Sequence, residues 1–269
     1  MSAVIFRRLR VCCAPLAPAR SAPGDVSSRT NQTLMTHQKR ADAVGFFSEN
    51  AEQFHDLYRA QPEFHERLEL WRGLLDRYAV PGGLSLDLGC GPGIFSFYLA
   101  EKGGRVFAVD GAPDMVASCE RQQRERGVSN VRFVQGLLPN VDDAELANAD
   151  LLISSSVIEY VDDLQATLAL FARALKSGGI MILSMPNVLS LSRIQQRLKY
   201  KLTGDPEIYA HIKHFSTPRL LSRQLRPLGL DSLETHYYTH FTRLAKLARK
   251  LHLPLQLSED LFVSVFKKR

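Results

Sequence analysis

Three groups of residues have types and spacing that could do chemistry. The first is Asp87-Leu88-Gly89-Cys90-Gly91-Pro92-Gly93, which closes a short apolar run and opens a helix-like segment. Glycines at such a junction let the backbone turn tightly and approach a ligand without a Cβ in the way. The N-terminus of the helix adds unsatisfied N–H groups and a partial positive charge. The second is Asp110, 21 residues after Gly89 and at the end of the next apolar run. A carboxylate there is acceptor-only and can take both hydroxyls of a ribose. The third is divided between Ser154-Ser155-Ser156-Val157-Ile158-Glu159-Tyr160 and Tyr209-Ala210-His211-Ile212-Lys213-His214-Phe215-Ser216. Both segments follow strand-like runs and carry candidates for proton transfer.

Spacing narrows the first group. The loop reads G-x-G-x-G, whereas dinucleotide folds use G-x-G-x-x-G, and the P-loop pattern is absent. Cys90 has no local His and reads as a small packing residue rather than a nucleophile.

LSLDL, RVFAVD, VRFVQG, ADLLISS and GIMILSM read as strands. IFSFYLAEKG, PDMVASCERQQRERG and DDLQATLALFARALKSGG between them read as helices. Alternation of this length implies βαβ units and a parallel sheet covered on both faces. Ahead of the sheet, Phe46, Phe47, Phe54, Leu57 and Tyr58 recur at helical spacing from Lys39 onward. Pro62 opens a second helix striped by Phe64, Leu68, Trp71, Leu74 and Leu75, and Pro81-Gly82-Gly83 ends it. After the fifth strand comes a basic amphipathic segment, 188–203. A helix following Ser216-Thr217-Pro218 is expected next, with Ser216 as N-cap, and two late strands near 230–238 and 260–267.

The D-x-G-x-G-x-G loop after the first strand resembles the cofactor loop of class I S-adenosylmethionine-dependent methyltransferases. RVFAVDGAPDM, FVQGLLPN, and ADLLISSSVIEYVDD with ALKSGGIMILSMPN match that family's later segments in order, over residues 84–187. The resemblance implies an α/β, doubly wound Rossmann-like sheet of seven strands, the last two forming an antiparallel edge. N-terminal helices and a helical insertion after the fifth strand complete it. It implies S-adenosyl-L-methionine as cofactor. Asp87, Gly89, Cys90, Gly91 and Gly93 would shape the loop under the methionine portion. Asp110, with Gly111 and Met115, would hold the ribose side. Gln135, Gly136 and Leu137 would border the adenine, and Ser155 to Glu159 would face the pocket. The family often has an acidic residue after the third strand; Gln135-Gly136-Leu137-Leu138 has none.

Residues 35–235 also look like the branch containing the quinone-biosynthesis O-methyltransferases. That branch shares the Ser184-Met185-Pro186-Asn187 end of the fifth strand, a basic insertion, and an H-F-S-like segment. A loop resembling E-x-L-E-H there has been linked to a divalent metal. Ser156-Val157-Ile158-Glu159-Tyr160 lacks two of the three ligands, so no metal is expected. The same departure puts a quinone precursor in doubt.

Methyl transfer from a sulfonium needs alignment and exclusion of water, with a base where the nucleophile carries a proton. His214 is the candidate base. Glu159 is either catalytic or a loop-holding residue. His211 reads as surface or packing. The segment 188–203 is either an interfacial helix on an anionic membrane or a lid over the site. The aromatic N-terminal helices either wall the pocket or pack on the sheet.

Charge is unevenly spread. The chain is +6 overall, with +4 in residues 1–34, −7 in 35–189 and +8 in 190–250. That pattern fits a soluble core with basic attachments better than a nucleic-acid-binding face. Four cysteines in 269 residues are no disulfide framework. Residues 1–34, rich in Arg, Ala, Pro and Ser, read as a disordered tail, a transit peptide, or an upstream-start extension before Met35. The compartment is cytoplasmic, or mitochondrial on the transit reading. The methyltransferase unit would then run over 35–269: helical cap 39–80, cofactor core 84–187, substrate-side insertion 188–215 and closure 216–269. The favoured acceptor is a small, hydroxylated, apolar molecule. An RNA or protein target, and a non-catalytic binding module on the same fold, are the alternatives.

Overall fold

A computed structural model describes residues 43–51, 62–141, 146–239 and 242–269. The expectations for 1–34, Phe54, Leu57 and Tyr58 lie outside the described residues. The parallel strands are β1 (Leu84–Leu88), β2 (Arg105–Asp110), β3 (Val131–Gln135), β4 (Ala149–Ser155) and β5 (Leu175–Pro186). With β6 (Leu230–Tyr238) and β7 (Leu261–Lys268) they form a seven-stranded sheet of order β3-β2-β1-β4-β5-β7-β6. β7 runs antiparallel to both of its neighbours.

Side chains alternate across each strand, so two cores form. On one face Leu86, Leu88, Leu152, Leu183 and Phe262 pack under α5 (Leu164–Ala174) and α7 (Pro218–Leu225). On the other, Leu151, Ile153, Ile182 and Val265 meet α2 (Pro62–Tyr78), α3 (Ile94–Glu101) and α4 (Pro113–Arg126). Trp71 of α2 is fully buried and stacks on Phe95 of α3 at 4.9 Å between ring centroids. Its indole N–H donates to the Tyr238 hydroxyl at 3.3 Å, tying α2 to the far edge of the sheet.

Two boundaries differ from the sequence reading. The helix expected to continue through Lys176-Ser177-Gly178 stops at Ala174, and β5 begins at once. The Lys268 ammonium, arriving from β7, donates to the carbonyls of Ala172 and Leu175 at 2.7 and 2.6 Å. It therefore occupies the negative end of α5. The N-cap of α7 is Thr217, whose side chain accepts from Leu220 N–H. Ser216 is instead buried, and its backbone bridges to Asn187 at the end of β5.

The order of connection reverses between β1 and β4, which lie side by side. Ligands of such sheets bind outside the carboxyl ends of strands at that switch point. The loops leaving β1 and β4 meet there. α1 (Ala43–Glu49) and α6 (Leu191–Thr203) lie around it.

Candidate active site

The loop after β1 is shaped by backbone that only glycine adopts at ease. Gly89 has φ +85°, and a Cβ there would lie 2.2 Å from the Val157 side chain. The loops after β1 and β4 thus touch at a point with no room for a side chain. Gly93 (φ +75°) precedes α3, and a Cβ on it would press on Cys119 Sγ at 2.9 Å. Cys90 within the loop and Cys119 on α4 are both buried free thiols. Contact with Cys119 and burial push the Cys90 thiol well up, so it is inert as a nucleophile.

Two carboxylates stand behind the loop. Asp110 accepts the Gly91 N–H at 2.7 Å and the Ala112 N–H at 2.9 Å, one on each oxygen. Burial raises its carboxyl, and those two N–H groups oppose the rise. Asp87 accepts the Ser96 hydroxyl at 2.6 Å on one oxygen, while the other is buried without a partner. Burial pushes Asp87 up to about 7.

The second wall comes from the loop after β4. Arg67, on α2, donates to the carbonyl and hydroxyl oxygens of Ser155 at 3.2 and 2.5 Å. Glu159 is fully buried, and neither of its carboxyl oxygens has a partner among the described residues. Burial pushes it up to about 8, against the pull of its own backbone N–H and then of Arg67 and Arg193. Its backbone carbonyl accepts the N–H groups of Lys213 and His214 at 2.8 and 3.1 Å, which pins the later loop to this one. Tyr160 packs edge-on to Phe47 of α1 at 5.1 Å.

These groups enclose a cleft of about 470 Å³. Asp87, Gly89, Cys90, Gly91, Asp110 and Gly111 line one part of it, as do Met115, Gly136 and Leu137 nearby. Ser155, Glu159, Tyr160, Arg67 and Arg193 line another. Phe47 and Phe64 contribute aromatic wall, whereas Trp71 packs against the sheet.

Three expected site residues do not line the cleft. Gln135, the last residue of β3, is exposed and does not line the cleft; the loop residues that follow it, Gly136 and Leu137, do. Gly93 shapes the end of the loop, packed on Cys119, without lining the cleft. His214 does not line the cleft either; its Nε2 bonds the Val161 carbonyl at 2.8 Å, so the ring holds the loop. His211 is buried and packs on Phe46 at 5.2 Å. Among the described residues no group of three His, Cys, Asp or Glu could hold a metal ion.

Arg67 escaped the sequence reading. Its signal was its position on the apolar stripe of α2, three residues after Phe64 and four before Trp71.

Residues 81–244 match the family model described as a methyltransferase domain. The chain belongs to this methyltransferase family. Its cofactor is accordingly S-adenosyl-L-methionine, and the cleft fits that group. An unpartnered buried carboxyl oxygen on Asp87 suits an ammonium, and Asp110 retains lone pairs for hydroxyls. The ubiquinone biosynthesis O-methyltransferase of Hahella chejuensis is 27% identical over 197 residues, which is 69% of this chain and 80% of that one. The malonyl-[acyl-carrier protein] O-methyltransferase of Hamiltonella defensa is 27% identical over 179 residues, 64% of each chain. Among solved structures, magnesium protoporphyrin IX methyltransferase from Synechocystis, with bound SAH, superposes with a TM-score of 0.55 at 16% identity. That match covers 91% of this chain and 98% of that one, and shows the shared fold.

Proposed function

We propose that this methyltransferase acts on an oxygen of a small, hydroxylated and largely apolar acceptor. The observation that carries the reading is Glu159: a buried carboxyl with no partner among the described residues, in an aromatic-walled cleft next to the glycine loop. An unsatisfied buried carboxyl costs stability unless a ligand pairs with it, and an acceptor hydroxyl is a suitable partner.

Bound S-adenosyl-L-methionine supplies an electrophilic methyl group. Asp87 would hold its ammonium, Asp110 its ribose hydroxyls, and Gly136 with Leu137 would border its adenine. Gly89 and Gly91 let the backbone come close beneath it. On the acceptor side, Glu159 hydrogen-bonds the hydroxyl and takes its proton when ionised. Phe47, Phe64 and Tyr160 exclude water, which favours a bond-forming step between aligned groups.

The exposed apolar residues of the insertion support a second feature, peripheral contact with a membrane. Leu198 is 57% and Leu202 86% exposed on a helix that also carries Arg197, Lys199 and Lys201. No helix among the described residues is long and apolar enough to cross a membrane.

The test is isothermal titration of the full chain with S-adenosyl-L-methionine, followed by a screen of phenols and other hydroxylated acceptors for methyl transfer. Micromolar binding and transfer to oxygen support the reading. Absence of binding by folded protein removes it.

A further inference from the structure

The strands that carry the cofactor half of the cleft stand in the order β3-β2-β1. Their loops follow one another at about 4.8 Å per strand. The glycine loop leaves β1 and Asp110 ends β2, so the parts of the cofactor run outward from methionine through ribose, and the base falls at the loop after β3. That place is apolar on its faces. A Cβ on Gly111 would lie 3.0 Å from the Leu137 side chain and 3.3 Å from Val44 of α1. All three residues line the cleft, so two aliphatic groups converge on a point that carries no side chain. Such walls suit the faces of a flat base but cannot read its edge.

The edge needs polar groups, and few are in reach. Asp110 already accepts two backbone N–H groups, one on each oxygen. Asp87 lies on β1, two strands away. Gly136 gives its N–H to the Asp110 carbonyl at 2.9 Å, which fixes the start of the loop after β3. Gly136, Leu137, Leu138, Pro139 and Asn140 all line the cleft, and Asn140 alone among them has a polar side chain. Leu137 and Asn140 oppose each other in an antiparallel bridge. Residues paired in this way carry their side chains on one face, so the Asn140 amide stands beside Leu137. Asn140 is exposed, and its amide makes no hydrogen bond among the described residues.

We propose that Asn140 reads the adenine of S-adenosyl-L-methionine. Its amide oxygen accepts from the 6-amino group, and its NH2 donates to the ring nitrogen next to that group. This rests on the placement of the base at the loop after β3 and is independent of the acceptor. Adenine offers a donor beside an acceptor, and an asparagine amide offers the complement. A carboxylate in the same place could only accept.

The experiment titrates the full chain with S-adenosylhomocysteine and with its analogue lacking the 6-amino group. The same two titrations are made on Asn140→Ala, Asn140→Asp and Gln135→Ala. The unsubstituted protein is expected to prefer S-adenosylhomocysteine by about fivefold or more, the lower end for one amide–adenine pair. In Asn140→Ala this preference falls toward one. Asn140→Asp keeps a preference, because a carboxylate still accepts from the amino group. Gln135→Ala keeps it in full, since that side chain lies outside the cleft. A loss that is merely structural would weaken both ligands alike and leave their ratio unchanged. An unchanged ratio in Asn140→Ala therefore overturns the assignment, as does its collapse in Gln135→Ala or in Asn140→Asp. Equal binding of the two ligands by the unsubstituted protein overturns it as well. Methyl transfer to a hydroxylated probe alongside any of these results leaves the proposed function standing and removes only the role of Asn140. Failure of the folded chain to bind either ligand removes both.

Discussion

The Gly91 N–H donates to Asp110 at 2.7 Å, so the carboxylate at the end of β2 and the loop after β1 are one unit. Asp110 both shapes the cofactor loop and faces the cleft. Substituting it removes a ligand contact and a backbone anchor together. Asp110→Ala is expected to weaken S-adenosyl-L-methionine by more than about tenfold, since charged hydrogen bonds are each worth about 1.5–3 kcal/mol. Asp110→Asn should fall between, because its NH2 opposes one of the two N–H donors. Titration of both variants decides it, and unchanged affinity in the alanine form would refute the unit.

Gly89→Ala tests the contact between the two loops. Its Cβ would lie 2.2–2.8 Å from Val157, at a φ that costs a non-glycine residue about 1–2 kcal/mol. The variant should melt lower and lose most cofactor affinity. Adding Val157→Ala removes the clash but not the backbone strain, so recovery should be partial. Full recovery in the double variant would show that the left-handed backbone matters little.

Glu159 makes the stability of the unliganded protein depend on pH. Its carboxyl sits at about 8 in the fold against about 4.3 for a free glutamate, so the fold binds the extra proton. This contribution of Glu159 is fully present below the unfolded value and is lost as pH rises through the folded one. Glu159→Gln cannot ionise, and should flatten this fall by roughly 3.5 kcal/mol between pH about 5 and about 8. Thermal melts of both proteins across that range provide the check; parallel curves would count against a buried, protonated Glu159.

Asp87 predicts the opposite trend for ligand affinity. It ionises at about 7, and its unpartnered oxygen is a site for a cation. Binding of S-adenosyl-L-methionine should tighten from about pH 5.5 to about pH 7.5, below the usual range of α-amino titration. Asp87→Asn should bind weakly and lose this slope. A slope retained in that variant would move the titrating group elsewhere.

Much of the frame could be read from the residues. Strands 84–88, 105–110, 149–155 and 261–268 fall on short, mostly apolar runs, as expected of a sheet covered on both faces. The glycine loop and Asp110 were legible because their requirements are local. What failed was set by distant contacts. The end of α5 depends on Lys268, almost a hundred residues away. His214 had the chemistry of a base, yet its ring is spent on the Val161 carbonyl. Gln135 ends β3 outside the cleft, which is lined by the loop residues after it. Arg67 became part of the site only when α2 folded across the end of β4.

The sheet order also fixes a sequence of assembly. β6 has a single neighbour, β7, and β7 follows it in the chain after two helices, α8 (Arg243–Lys250) and α9 (Leu255–Ser258). During synthesis β6 therefore emerges with nothing to pair with, while β1 to β5 can already align. Phe262, Val263, Val265 and Phe266 arrive last, yet they fill both cores. A nascent chain stalled before residue 261 would expose the β5 edge and two apolar faces, the kind of surface that chaperones and aggregation compete for.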